Sequence, residues 1–413
     1  MRGKNSSEQA QSRAAGMLLI FLCCGAAAAG ADTPIPGNAN AEVQWQQLFQ
    51  KAEQLYNQQK FAEGLSLAQD ALRTAERAFS QQDQRRARSY ALLGAYLYAG
   101  GDLAGAEYRY KQALSIWDLG PENAQVARAL SGLAAALGGQ GRLAQAERKY
   151  AQAVAVWERI GAAGSADAAQ ALNELASLYE AMGRFEAASP LYQRAVEIWQ
   201  QTLEPGDPRL AVILNNLAAL YTREKRYSEA ELLYKRSLAV WKEKTGFDHP
   251  DVAALLNNLA RVYEMQEKLP AAEGLYRQAL EIWLRLLGDG HSHVAAALNN
   301  LAALYKKQGR PAEAEPLYRQ ALAIKEKNFG GEHPELVAVL HNLAALYMSE
   351  GDYEQSRQFY QREIGVLEKM GEGGAEKLSA ALVCQAECLR RLGRFDEAQL
   401  LEQRARNLAA VRR

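Results

Sequence analysis

Apolar residues recur along most of this chain at spacings of three and four. Leu214, Leu217, Ala218 and Tyr221 fall on one narrow stripe of a helix, and Leu256, Leu259, Ala260 and Tyr263 repeat that stripe 42 residues later. A second stripe follows each first one, as in Ala230, Tyr234, Leu238 and Trp241. The spacing predicts pairs of amphipathic helices. Between the two helices of many pairs stands a glycine, at Gly101, Gly141, Gly183, Gly309, Gly351 and Gly393. Glycine takes the left-handed conformation that stops one helix and turns into the next. Connections such as Asp248-His249-Pro250-Asp251 and Glu332-His333-Pro334-Glu335 lead into the next pair. Proline fits a first helical turn, where its missing N–H is not needed, and an acidic neighbour complements the positive helix end.

The pattern is periodic. Leu-Asn-Asn-Leu-Ala stands at 214–218, 256–260 and 298–302, with Leu172-Asn173-Glu174-Leu175-Ala176 before it and Leu340-His341-Asn342-Leu343-Ala344 after it. The residues that open the second helix of each pair are Phe61, Leu103, Leu143, Phe185, Tyr227, Leu269, Pro311, Tyr353 and Phe395. They advance by 42, except for one step of 40 between Leu103 and Leu143. Nine units follow, expected at about 43–80, 82–119, 122–160, 165–203, 207–246, 249–288, 291–329, 333–371 and 374–412. One such unit cannot bury its apolar face alone, so the units stack into an array over residues 43–413.

These landmarks resemble tetratricopeptide repeats, with a bulky apolar residue, Leu-Ala and Tyr on the first helix, then Ala, an aromatic and an apolar residue on the second. The 42-residue period is similar to that of kinesin light chains, as are the phrases His-Pro-Asp-Val-Ala at 249–253 and Glu-Ala-Glu-Pro-Leu-Tyr-Arg-Gln-Ala-Leu-Ala-Ile at 313–324. The likeness is strong over roughly residues 120–370 and weak at both ends. It implies an all-α fold, a right-handed α-solenoid superhelix of about nine helix-turn-helix units, acting as a non-catalytic protein-binding scaffold. No long heptad segment of the kind that joins a kinesin light chain to a motor stands in this sequence, so motor attachment is not carried over.

Candidate chemistry lies in the repeated asparagines. Asn costs about 0.6 kcal/mol relative to Ala in a helix interior, so its recurrence at two adjacent positions needs a reason. Asn173, Asn215, Asn257 and Asn299 point about 110° from the centre of the apolar stripe, and Asn216, Asn258, Asn300 and Asn342 about 150° away on the other side. In a tetratricopeptide superhelix that side of the first helix lines the concave groove, giving two ladders along its wall. A carboxamide offers a donor and an acceptor together, which suits the backbone of an extended peptide. Related ladders in O-GlcNAc transferase, and groove asparagines in kinesin light chains and chaperone-binding tetratricopeptide domains, hold peptides, and the resemblance implies the same role here. The alternative is that one ladder bonds across neighbouring repeats and fixes their stacking. Ala219, Ala303 and Ala345, in one column with Ser177 and Arg261, let a ligand backbone approach closely, while Arg223, Arg261, Lys306 and Lys307 favour an acidic peptide. The candidate groove is therefore Asn173, Asn215, Asn216, Asn257, Asn258, Arg261, Asn299, Asn300, Lys306 and Asn342.

Other residue types narrow the reading. Trp117, Trp157, Trp199, Trp241 and Trp283 continue the buried stripe of the second helices and are expected in the core. His249, His291 and His333 share one repeat position and lie along the array, so no metal or cofactor is expected. No phosphate loop, Gly-x-Ser-x-Gly or His-Glu-x-x-His occurs, and the repeats occupy the chain, so no enzyme activity is expected. Lys plus Arg and Asp plus Glu both number 48, which gives no electrostatic reason to expect nucleic acid.

The N-terminus differs. Polar residues 1–16 carry Arg2, Lys4 and Arg13, residues 17–29 are apolar and uncharged, and Ala29-Gly30-Ala31 has the small residues of a cleavage site. Residues 1–31 are thus expected to be a secretory signal peptide followed by a linker at 32–42, placing the protein in a secreted or periplasmic location without membrane insertion after cleavage. An uncleaved signal serving as a membrane anchor is the alternative. Cys384 and Cys388, one helical turn apart, are poorly placed to pair with each other. The expected partner is a protein or peptide, with self-association in the cell envelope as the competing reading.

Overall fold

A computed structural model describes residues 39–204 and 206–410. The expected signal peptide and most of the linker lie outside the described residues. Every long element among the described residues is an α-helix, and the helices come in consecutive pairs. The first unit contains α1 (Ala39–Asn57), α2 (Phe61–Ala78), α3 (Gln84–Ala99), α4 (Leu103–Trp117), α5 (Ala124–Gly139), α6 (Leu143–Arg159), α7 (Ala166–Ala181), α8 (Phe185–Thr202) and most of α9 (Pro208–Arg223). The second contains α10 (Tyr227–Thr245), α11 (Pro250–Met265), α12 (Leu269–Leu287), α13 (Ser292–Lys307), α14 (Pro311–Phe329), α15 (Val337–Glu350), α16 (Tyr353–Lys369), α17 (Ala375–Arg391) and α18 (Phe395–Ala410). The division between these two compact units falls at Leu220 and Tyr221. All nine residues expected to open a second helix do so.

One turn recurs in every pair. Gly101, Gly141, Gly183, Gly309, Gly351 and Gly393 take positive φ between 73° and 83°, and where glycine is missing Gln59, Lys225 and Glu267 take φ of 59° to 62°. The following amide donates back to a carbonyl five residues earlier, as from Arg142 to Leu137 at 3.0 Å and from Arg226 to Tyr221 at 2.8 Å. That geometry satisfies carbonyls the first helix would otherwise leave unpaired.

The opposite ends are capped by side chains. Asp83, Asn123, Ser165, His249, His291 and His333 each accept a hydrogen bond from a backbone amide two or three residues ahead, Asn123 from two. This explains the polar residue before most first helices, α17 with Gly374 before it being an exception, and gives the three histidines a capping role along the array.

Burial follows the stripes. In the first unit Leu172, Leu175 and Ala176 are enclosed, as are Leu256, Leu259 and Ala260 in the second. Trp117, Trp157, Trp199 and Trp283 are buried as expected, and the Trp199 indole N–H donates to the Ala166 carbonyl at 2.8 Å. Trp241 departs from the expectation: it is half-buried, and its ring stacks on the capping His249 with centroids 4.8 Å apart. Both remaining cysteines are free thiols. Charged links join consecutive second helices at their edges, with Glu107–Arg142 at 2.7 Å and Glu147–Arg184 at 2.8 Å in the first unit. The second unit repeats them as Glu231–Lys268 at 3.2 Å and Glu273–Arg310 at 2.9 Å.

Candidate functional site

The asparagines bond to one another across repeats. Asn300 Nδ2 donates to Asn257 Oδ1 at 2.9 Å, Asn342 Nδ2 to Asn299 Oδ1 at 2.9 Å, and in the first unit Asn216 Nδ2 to Asn173 Oδ1 at 3.4 Å. Each bond spans 43 residues, so the second asparagine of one repeat reaches the first asparagine of the repeat before. Of the two readings of the ladders, bonding across neighbouring repeats is present, and each rung joins one member of each set. Asn173, the acceptor of the first-unit rung, is buried. Asn215, Asn216, Asn257, Asn258, Asn299, Asn300 and Asn342 are half-buried.

A rung leaves capacity over. It uses one amide hydrogen of the donor and one lone pair of the acceptor, whereas a carboxamide carries two hydrogens and one carbonyl oxygen. A half-buried rung can therefore fix the stacking of two repeats and still meet a ligand. The single wheel could not show this, because the bond needs two helices in register.

Of the four cations expected near the groove, Arg223 is exposed and has a partner, and the other three divide. Lys307 is engaged, donating to the Glu264 carbonyl at 3.0 Å and pairing with Glu267 at 2.9 Å. Arg261 is exposed and Lys306 half-buried, and among the described residues neither side chain makes a hydrogen bond or an ion pair. Burial holds the Lys306 ammonium below its ordinary pKa, which marks a charge partly stripped of water and not repaid by a carboxylate. Beside it, His341 takes the place of the first asparagine in its repeat. Its Nδ1 lies 3.2 Å from Glu363 Oε2, a carboxylate only 3% exposed. That contact, foremost, raises the His341 pKa, against burial and the Lys306 charge. Glu264 sits near Arg261 and Lys307, accepts from the Tyr276 hydroxyl at 3.1 Å, and is raised in pKa by burial.

Two groups escaped the sequence reading. Glu363 lies on a second helix, outside the Leu-Asn-Asn-Leu-Ala motif. Glu174 was in view as the one departure from the second asparagine within the motif, and that substitution was the available signal. It is 5% exposed; Oε1 accepts from Gln170 at 2.8 Å, and Oε2 has no partner among the described residues. Among the described residues no cluster of His, Cys, Asp and Glu could hold a metal ion.

Comparison with known proteins gives the repeat its family. A tetratricopeptide repeat model matches residues 125–201, 167–243, 251–327, 293–369 and 335–410, and a second one matches 215–283. The comparison with curated proteins returned no match. Among solved structures, the apo form of the quorum sensor NprR from B. thuringiensis is 14% identical, covers 90% of this chain and 99% of its own, and gives a TM-score of 0.65. A Rap protein complexed with competence and sporulation factor is 15% identical over 90% of this chain and 98% of its own, with a TM-score of 0.56. A protein from Podosopora anserina, described as a kinesin light chain with nearly identical TPR-like repeats, is 26% identical over 51% of this chain and 99% of its own, with a TM-score of 0.46. With matched segments spanning well over half of its length, the chain belongs to the tetratricopeptide repeat family.

Proposed function

We propose that this protein is a non-catalytic scaffold that holds an extended, acidic peptide segment of a partner along the first helices of the second unit. The observation that carries this reading is the position of Arg261 and Lys306, without carboxylate partners, on the same run of first helices as the carboxamide rungs Asn257–Asn300 and Asn299–Asn342. The rungs offer spare donors and acceptors to a peptide backbone, and the cations offer charge to acidic side chains. A family relative by fold, the Rap protein, was solved with competence and sporulation factor bound, which is in keeping with ligand capture by this architecture.

The test uses fluorescein-labelled, N-acetylated, C-amidated nonapeptides whose central residue is Glu and whose other residues are mixed and uncharged. The wild-type chain should bind this pool, and Arg261→Ala with Lys306→Ala should weaken it by about tenfold or more, since charge-assisted contacts are worth about 1.5–3 kcal/mol each. Undiminished binding by the double variant would sink the assignment. We further propose that the protein acts in a secreted or periplasmic setting after removal of residues 1–31. N-terminal sequencing of the mature chain should then begin at Asp32, and a chain starting at Met1 would refute it.

A further inference from the structure

In the first unit a second candidate site is built around Glu174. It stands on α7 at the repeat position held by Asn216 in the following repeat and by Gly132 in the preceding one, 42 residues away on either side. The glycine matters because the Tyr110 ring occupies the space its side chain would need: a Cβ at Gly132 would lie 2.3 Å from Tyr110 Cζ. The Tyr110 hydroxyl is buried and, like Glu174 Oε2, has no hydrogen-bond partner among the described residues. Two buried polar atoms are thus left unsatisfied, Glu174 Oε2 in the fourth repeat and the hydroxyl of Tyr110, a second-helix residue of the second repeat whose ring fills the Gly132 position of the third, and folded proteins avoid such atoms unless something pairs with them.

No hydrogen bond joins the two groups. The Glu174 charge adds to burial in pushing the hydroxyls of Tyr110 and Tyr150 upward, and it reaches Tyr98 and Tyr56 as well. Burial is the largest cause in all four. Tyr98 is only half-buried. No Lys or Arg among the causes that shift Glu174 offsets its burial, and its carboxyl is pushed up to about 7.

We propose that Glu174 and Tyr110 form a binding site for one basic side chain, a Lys ammonium or Arg guanidinium, carried by a peptide segment of the partner. A cation with several N–H donors can bond the free carboxylate oxygen and the tyrosine oxygen together, which a neutral single donor cannot. Its apolar stem would run along tyrosine rings, whose faces attract cations. The site lies in a different unit from Arg261 and Lys306 and requires the opposite charge. It rests on the peptide-binding reading only in that a peptide is the carrier.

The same peptide format tests it, with the central residue fixed as Lys, Arg, norleucine or Glu among uncharged neighbours. The full chain should bind the Lys and Arg pools about tenfold or more tighter than the norleucine pool, as one charge-assisted contact allows. Glu174→Asn, which restores the residue found at Asn216, should erase that preference while the helical circular dichroism and the binding of the Glu pool stay intact. Glu174→Gln should do the same. A wild-type chain that binds the Glu pool but does not prefer Lys or Arg to norleucine would overturn the inference, leaving Glu174 bonded to buried water, without touching the proposed function. A Lys preference that survives Glu174→Asn would likewise overturn it. Binding of the Lys pool with loss of the Glu pool would leave this site standing and remove the acidic-peptide reading, and binding of no pool would remove both.

Discussion

At the residue scale the informative positions are those where the repeat breaks its own rule. Glu174 replaces an asparagine, and burial raises its carboxyl from 4.5 to about 7. The folded chain therefore holds that proton more tightly than the unfolded chain does. The resulting penalty is absent below about pH 4, grows as pH rises from 4.5 to 7, and is fully present above that range. Glu174→Gln should thus stabilise the protein at pH 8 by on the order of 3 kcal/mol and leave it nearly unchanged at pH 4. Urea melts at both values check this, and equal effects would show that folding does not raise the pKa of this carboxyl. His341 works in the opposite sense. Its pKa is raised by Glu363, so the pair contributes stability fully below about pH 6.5, and this is lost as pH rises through the folded value. His341→Ala should cost about 1–3 kcal/mol at pH 6 by leaving a buried carboxylate unpaired. Most of that cost should disappear in the Glu363→Gln background, and a cost that persists there would assign it to packing. Neither group could be evaluated from the sequence, because a pKa depends on what other repeats bring near, and one helical wheel holds no information about that.

At the element scale the sequence was legible because each helix boundary is set locally. Helical spacing, a turn residue and a capping side chain act within a few residues, so all nine second helices begin where the periodicity places them. The turn also shows why glycine is frequent but not universal: Lys225 and Glu267 adopt the same left-handed conformation at φ 62° and 59°. A side-chain-bearing residue is strained there by roughly 1–2 kcal/mol. Lys225→Gly should therefore stabilise the chain by about 1 kcal/mol. Glu267→Gly should gain less, because it also removes the exposed Lys307 contact at 2.9 Å, worth at most about 1 kcal/mol. Thermal melts of the two variants would rank them, and a Lys225→Gly chain that melts lower would contradict the turn argument. What the element scale concealed was the Asn rung. Its donors and acceptors are 43 residues apart, and only the stacking of first helices brings Asn300 to Asn257 and Asn342 to Asn299.

At the scale of the whole molecule the pattern of contacts governs how damage spreads. Within each unit most helices pack on their neighbours in sequence, and first helices also touch the next first helix, as α5 does with α7 and α13 with α15. In such an array stability is close to a sum of repeat and nearest-neighbour terms. A cavity in one repeat should therefore loosen its own unit and fade with distance, unlike a globular domain, where one core carries the loss everywhere. Leu298 on α13 is 3% exposed, and Leu298→Ala should remove about 2–5 kcal/mol of local stability. In native-state hydrogen exchange, amides of Leu259 to Val262 and Leu301 to Leu304 in the second unit should lose protection by roughly tenfold to a thousandfold or more. Amides of Ala91 to Tyr96, on α3 in the first unit, should change by less than about tenfold, because only nearest-neighbour terms could carry the loss to them. A uniform fall along the chain would show that the two units open together. That result would also bear on the two proposed sites, because Glu174 lies in one unit and Lys306 in the other, and a chain opening as one body would couple them.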